Sequence, residues 1–332
     1  MAPVRVTTRC RADLAGGTLD IWPLGLLHPG ARTVNVAVDL AVTVELEPAP
    51  HWTVVQSGER LAAESLERLA RQPGAELFAL VASELGLEPS EARITSASPR
   101  GAGLGASSAL TVALLAAGEL VLGGELTMGA GERAACARDL EARLMQLPTG
   151  RQDHFPAQLG GALVLEHRAG GERWQRLDAD LEALAAHLLV AYTGRSHFSA
   201  GNNWEVVRRR LDGEPVVTAR LEAIREAADR AEVALRSGDW LELGSAMDAD
   251  WRSRRGLAPG ISTPEIEALL AAAAELGGFG GKACGAGGGG CVAALVPPGR
   301  RGEVEGAWRR LGARVLDAPP TARGLETETG ER

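Results

Sequence analysis

Lysine is almost missing from this chain: Lys282 is the only one in 332 residues, and arginine carries the remaining basic charge. Two common phosphate-binding devices are thereby excluded. A Walker A loop needs G-x-x-x-x-G-K-[ST], and the glycine-rich loop of a protein kinase needs a strand lysine beside it. Cysteine is scarce too. Cys10, Cys136, Cys284 and Cys291 are widely spaced and form no C-x-x-C pair, which argues against a disulfide framework or a zinc site and for a reducing, cytoplasmic setting. Excess positive charge is also lacking. The formal net charge is −8, so no general nucleic-acid partner is expected, because such affinity rests on clustered Lys and Arg. The longest apolar run, LTVALLAAGELVLGG, is interrupted by Glu119 and too short to span a bilayer, and MAPVRVTTRCRADLAGG holds no leader-like apolar stretch. The reading is a soluble, cytoplasmic protein with no membrane partner.

What is present is ordinary globular composition, 45% hydrophobic and 23% charged, with enough chain for two domains of moderate size. VRVTTRCRADL, TVNVAVDLAVTVELE and HWTVVQS read as an antiparallel run of strands, and residues 60–86 carry helical periodicity. RITSAS is a short strand stopped by Pro99. An apolar helix from about Ser107 to Leu122 follows, then an amphipathic one within TMGAGERAACARDLEARLMQL, and GGALVLEH restores a strand. HLLVAYTG opens a second half that is mainly helical (about 202–212, 216–236, 239–252 and 264–276). It closes with the strand CVAALVP, a helix near 301–311 and ARVLDAP. Strands and helices do not alternate regularly, so the fold class is α+β. The tail after Pro320 reads as disordered.

Glycine is abundant, and it is clustered. PRGAGLGASSAL (99–110) places three glycines before a helix, where backbone N–H groups converge and the positive end of the helix dipole suits a phosphate without any lysine. GAGLGA also satisfies the dinucleotide pattern G-x-G-x-x-G/A, which keeps a dinucleotide-dependent oxidoreductase as an alternative. The polar preceding strand and Pro99 weigh against it. A second run, GKACGAGGGGCVAAL (281–295), leads into an apolar strand, and a third loop, DLAGGTLD, carries Gly16 and Gly17. Four successive glycines cost conformational entropy, so a close backbone approach is the natural reason for Gly287 to Gly290.

These three segments, in this order and spacing, resemble the motifs of the GHMP small-molecule kinases, the group that includes galactokinase, mevalonate kinase and heptose phosphate kinases. The resemblance covers nearly the whole chain. It implies an N-terminal domain of the ribosomal protein S5 domain 2 type (1–185), a ferredoxin-like C-terminal domain (186–320) and a tail (321–332). It implies ATP and Mg2+ as cofactors. ATP would lie on Pro99, Gly101, Ala102, Gly103, Leu104, Gly105, Ala106, Ser107 and Ser108, with Gly285, Gly287 and Gly288 opposite. PTGRQDHFPAQLGG resembles the segment whose aspartate orients or deprotonates the acceptor, which puts that role on Asp153. Arg11 matches the basic residue near the transferred phosphate. Glu141 and Ser107 match the metal-binding pair, with Ser108 as the alternative if the loop register shifts by one.

For the acceptor, the resemblance points to Asp20, Gly17, Thr18, Arg151 and His154. RADLAGGTLDIWP, GRQDHFPAQLGG and YTGRSH look most like D-glycero-D-manno-heptose 7-phosphate kinases, which phosphorylate the anomeric hydroxyl of a sugar phosphate. A phosphorylated acceptor needs local cations in an acidic protein, and Arg151, Arg195, Arg252, Arg254 and Arg255 are candidates. Other sugars, small alcohols such as mevalonate, and a non-catalytic nucleotide or sugar sensor stay open. The expected partner is a small-molecule sugar or sugar phosphate, and the expected state a monomer or homodimer.

Overall fold

The computed structural model describes residues 3–196 and 200–329; His197, which closes YTGRSH, and residues 330–332 lie outside the described residues. The first part runs β1 (Val4–Ala15), β2 (Arg32–Pro48), β3 (Trp52–Gln56), β4 (Glu59–Ala63), α1 (Leu66–Leu69), α2 (Glu76–Leu85) and β5 (Ser90–Ser96). It continues through α3 (Ala106–Gly123), α4 (Ala130–Met145), α5 (His154–Leu159), β6 (Ala162–Arg168), β7 (Gly171–Arg176) and α6 (Leu181–His187). The second part is β8 (Leu188–Tyr192), α7 (Ala200–Leu211), α8 (Pro215–Ser237), α9 (Trp240–Arg254), α10 (Pro264–Glu275), β9 (Gly280–Ala283), β10 (Cys291–Leu295), α11 (Arg301–Arg310) and β11 (Arg314–Val315). A last strand, β12 (Glu326–Thr329), returns to the first sheet.

The first sheet is organised by β2. Its 17 residues pair β1 along one edge; on the other edge Arg32–Val36 pairs β6 and Val42–Pro48 pairs β5. Among the described residues only the β3–β5 pair is parallel. The second sheet has order β11-β8-β10-β9, all antiparallel, with helices between β8 and β9 and between β10 and β11. That β-α-β-β-α-β sequence is the ferredoxin-like arrangement. The α+β class holds.

From Thr8 onward β1 is buried on both faces, since consecutive residues alternate sides and all are inaccessible. Helix α3 packs on β1 and β2, and α8 and α9 cover β1 as well. α3 has the length and apolarity of a membrane-spanning helix, but it is mostly buried inside the fold as a core helix. Its neighbours α2 and α4 close the core, with Phe78 and Val81 of α2 and Leu140 of α4 clustering with Leu114 of α3.

Two expectations need correction, and one strand was not anticipated. Residues 59–63 form a strand where the periodicity points to a helix, because the hairpin at Ser57 and Gly58, both at positive φ, pairs ERLAA with β3. GERWQR, to which no element is assigned above, forms β7, paired with β6. The tail is ordered through Thr329: Glu326–Thr329 adds to β1, and Gly324 packs against the Gln158 carbonyl where no side chain would fit.

Candidate active site

A cleft of about 790 Å³ lies between the two sheets, walled by Arg11 of β1, the 99–108 segment, Glu141 of α4, Gln152 and Asp153 before α5, Arg254 of α9 and the 284–289 loop. Its floor is backbone. Gly101, Gly103 and Gly105 all take left-handed conformations (φ 65, 72 and 73°), and Gly105 is the N-terminal boundary of α3 with no side-chain cap. The first-turn amides of α3 therefore have no intrahelical partner and open on the cleft, a ready anion site. The loop is stapled to β1 by the Arg11 amide donating to the Leu104 carbonyl at 2.9 Å.

The second glycine run packs on the first, backbone against backbone. A Cβ at Gly103 would stand 2.6 Å from the Cys284 carbonyl oxygen, and one at Gly285 would stand 2.7 Å from the Gly103 Cα. The Cys291 amide donates to the Ala102 carbonyl at 2.8 Å. Every residue of the 99–108 segment expected to hold nucleotide lines the cleft, and Gly285 and Gly287 face it from the opposite loop. Gly288 departs from the expectation and is absent from the cleft wall. Its amide donates to the Ile261 carbonyl at 2.6 Å, so this glycine serves loop packing.

Arg11 and Asp153 form the central pair. The guanidinium Nε and Nη2 donate to Asp153 Oδ1 at 2.8 and 2.7 Å, and Nη1 donates to the Gly103 carbonyl at 2.6 Å. Asp153 sits immediately before α5 and abuts Gly105, where a Cβ would fall 3.1 Å from its own Cβ. Its carboxylate is 24% exposed, on the cleft side. Burial pushes the Asp153 carboxyl above its ordinary value while Arg11 pulls the other way; burial opposes the Arg11 charge, and Asp153 and Asp13 more than restore it.

Glu141 meets Ser108, not Ser107. Ser108 Oγ donates to Glu141 Oε2 at 3.0 Å and Thr111 Oγ1 donates to Oε1 at 3.0 Å, because residues three apart share the face of α3 that looks at α4. Ser107 is exposed at the helix start and lines the cleft. A buried carboxylate beside a hydroxyl, both on the cleft wall, is an oxygen-only set that suits Mg2+, which takes one or two carboxylates and fills its shell with phosphate oxygens and water.

The residues expected around the acceptor divide. Thr18 and Asp20 line the cleft. Asp20 also ties the local backbone together: Oδ1 accepts from the Thr18 amide at 3.1 Å, and Oδ2 accepts from the Arg151 and Gln152 amides at 2.9 and 3.1 Å. Gly17 is outside the cleft, and a Cβ there would strike Asp13 Oδ2 at 2.2 Å. His154 is wholly buried behind Glu141, with Nε2 3.2 Å from Oε2, so it supports the carboxylate and does not line the cleft. Arg151 points into a separate cavity of about 280 Å³ and binds Glu172 through both carboxylate oxygens, at 2.7 and 2.8 Å. Arg195, Arg252 and Arg255 are exposed and paired with Glu265, Asp248 and Glu267. Of the five arginines considered for a phosphate, Arg254 alone lines the cleft.

One buried cluster lies outside the sequence-based expectations. Lys282 Nζ lies 2.9 Å from Asp13 Oδ2 and 2.7 Å from Asp250 Oδ2, with all three side chains inaccessible, and Arg254 Nη1 donates to Asp13 Oδ2 at 3.4 Å. Burial pushes the Asp13 carboxyl up, but Lys282 and Arg254 hold it below its usual value; burial keeps Asp250 above its own. The available sequence signal was an aspartate inside the apolar strand RADLA and a lone lysine between glycines. Nearby Cys10 and Cys284 are inert, their thiols pushed by burial up to about 12 and about 11.

Comparison with known proteins accords with this geometry. The family model for the GHMP kinases N-terminal domain matches residues 63–161, and that for the GHMP kinases C-terminal region matches 231–314. Mevalonate kinase of Pyrococcus horikoshii is 34% identical over 264 residues, covering 76% of this chain and 74% of that protein. D-glycero-alpha-D-manno-heptose 7-phosphate kinase of Campylobacter jejuni is 25% identical over 346 residues, 98% of this chain and 99% of that protein. Among solved structures, a D-glycero-D-manno-heptose 1-phosphate kinase from Bacteroides thetaiotaomicron superposes with TM-score 0.78 at 21% identity, over 99% of this chain and 100% of that one. The oxidoreductase alternative falls with these matches and with the strand that follows α3: β6 pairs β2 and β7, not β5, so β5 and α3 do not open a dinucleotide-binding βαβ unit. The chain belongs to the GHMP kinase family and is a phosphotransferase acting on an alcohol group of a small molecule.

Proposed function

We propose that the cleft transfers the γ-phosphate of ATP to a hydroxyl of a sugar phosphate, with the anomeric hydroxyl of D-glycero-D-manno-heptose 7-phosphate as first choice. The observation that carries the reading is the Arg11–Asp153 pair set at the mouth of an uncapped helix on a glycine loop. The α3 amides and the loop backbone take the phosphates. Asp153 Oδ2, free of Arg11, accepts the proton of the acceptor hydroxyl as its oxygen attacks, and Arg11 offsets charge developing on the transferred group. Glu141 and Ser108 would hold Mg2+, which would supply neutralisation of the negative charge on the phosphates. The transfer is direct and in line, with no phosphoenzyme. Residues 1–185 act as the nucleotide domain and 186–320 as its partner domain, with the final strand belonging to the first.

A second acceptor, mevalonate, is favoured by the 34% identity to the P. horikoshii enzyme, whereas full-length coverage favours the heptose kinase. The two readings separate in one assay: ADP release with ATP and magnesium over heptose 7-phosphate, mevalonate and free sugars. Turnover of heptose 7-phosphate supports the first reading and of mevalonate the second. Tight ATP binding with no turnover would replace both with a nucleotide sensor.

A further inference from the structure

Three arginines line the cleft among the described residues, and two are already committed. Arg11 directs its donors to Asp153 and Gly103. Arg100 is exposed on the nucleotide loop and donates to Ser57 Oγ at 3.0 Å. Arg254 differs from both. It is 3% exposed, its one side-chain hydrogen bond among the described residues is the 3.4 Å contact with Asp13 Oδ2, and that oxygen is already held by Lys282 at 2.9 Å. Arg254 Nε has no hydrogen-bond partner among the described residues. A buried guanidinium with spare donors is costly unless an anion completes it, and its planar fork matches a carboxylate or phosphate.

We propose that Arg254 binds an anionic group on the acceptor, a phosphate ester or a carboxylate, and that the buried Asp13–Lys282–Asp250 set is the frame that aims it. The inference rests on the phosphotransferase reading of the cleft. Asp13 comes from β1 of the first sheet, Lys282 from β9 of the second and Asp250 and Arg254 from α9, so the frame fixes the arginine against both walls. Arg11 and Asp13 lie on one face of β1 with no register shift between them, about 7 Å apart along the strand. Arg254 and the Arg11–Asp153 pair are therefore anchored to neighbouring same-face positions of β1 and line one cleft, so one acceptor molecule can meet both. Neutral hexoses offer Arg254 nothing. Heptose 7-phosphate and mevalonate both carry an anion remote from a hydroxyl.

The test is steady-state kinetics at saturating ATP on wild type, Arg254→Gln, Arg254→Lys and Asp13→Asn. The acceptors are heptose 7-phosphate, the same heptose without phosphate, (R)-mevalonate and galactose. Wild type should use one anionic acceptor and discriminate against the neutral ones. In Arg254→Gln its KM should rise about 10- to 100-fold, more than kcat falls, as expected for one lost charged hydrogen-bonding partner. Arg254→Lys should fall between, and Asp13→Asn should raise KM for the anionic acceptor. Nucleotide binding by calorimetry verifies that each variant is folded. A KM shift below threefold in Arg254→Gln, or equal use of phosphorylated and free heptose by wild type, overturns the inference while leaving the kinase reading intact. Silence of wild type with every acceptor overturns both. Heptose 7-phosphate against mevalonate decides whether the anion is phosphate or carboxylate.

Discussion

Replacing Gly103 by alanine tests whether the two glycine loops form one surface. The residue holds φ at 72°, and an added methyl would stand 2.6 Å from the Cys284 carbonyl oxygen, which belongs to the opposite loop. The left-handed conformation costs a non-glycine residue about 1–2 kcal/mol. Forcing the backbones apart adds about 1–3 kcal/mol, the usual range for overpacking. Gly86 supplies the control: φ is 67°, but nothing lies within 4 Å of its hypothetical Cβ, so Gly86→Ala carries the conformational cost alone. At about 2 °C per kcal/mol for a chain of this size, Gly86→Ala should lower Tm by about 2–4 °C and Gly103→Ala by about 4–10 °C. The shift at Gly103 also moves the loop amides, so ATP affinity should weaken about tenfold, the loss expected for one charge-assisted hydrogen bond. Differential scanning fluorimetry and calorimetric titration of ATP read both. Equal Tm losses in the two variants, with ATP affinity unchanged, would refute the backbone-on-backbone packing and its role in nucleotide binding.

Three further outcomes are expected. The acceptor kcat/KM should fall on the acid side through a pKa above the ordinary aspartate value, because ionised Asp153 is the active form and burial raises it; in Arg11→Gln the limb should move to higher pH, and an unmoved limb would contradict the pairing. Asp20→Ala should lower both Tm and kcat, since three backbone amides lose a charged acceptor worth about 1.5–3 kcal/mol each at most; a pure KM effect with unchanged Tm would reduce Asp20 to a substrate ligand. Glu119→Gln should cost about 3–5 kcal/mol in denaturant unfolding by stranding buried Arg133, while ATP affinity holds; a midpoint within error of wild type would refute the bridge's importance.

Much of the site was legible because it is written in backbone chemistry and in residues close in sequence. Glycines at 101, 103 and 105 before an apolar helix imply an anion cradle without any tertiary knowledge, and Asp153 and Arg11 followed from motif resemblance. Facing was not legible. Ser107 and Ser108 are adjacent, yet the helix turns one toward Glu141 and leaves the other at the cleft, and Arg151 and His154 flank Asp153 but point away from it. The Asp13–Lys282 contact joins residues 269 apart, so only the folded chain brings them together. Strand β7 escaped notice because one of its faces is polar and solvent-facing, leaving no apolar alternation to read.

The most direct test of the central assignment is turnover and ATP binding by Asp153→Asn, measured side by side with the acceptor that wild type uses. The substitution keeps the size of the side chain and removes its capacity to take a proton. Turnover should fall about 10²- to 10⁴-fold with ATP affinity retained. Near-normal turnover would contradict the assignment of Asp153 as the group that receives the acceptor's proton.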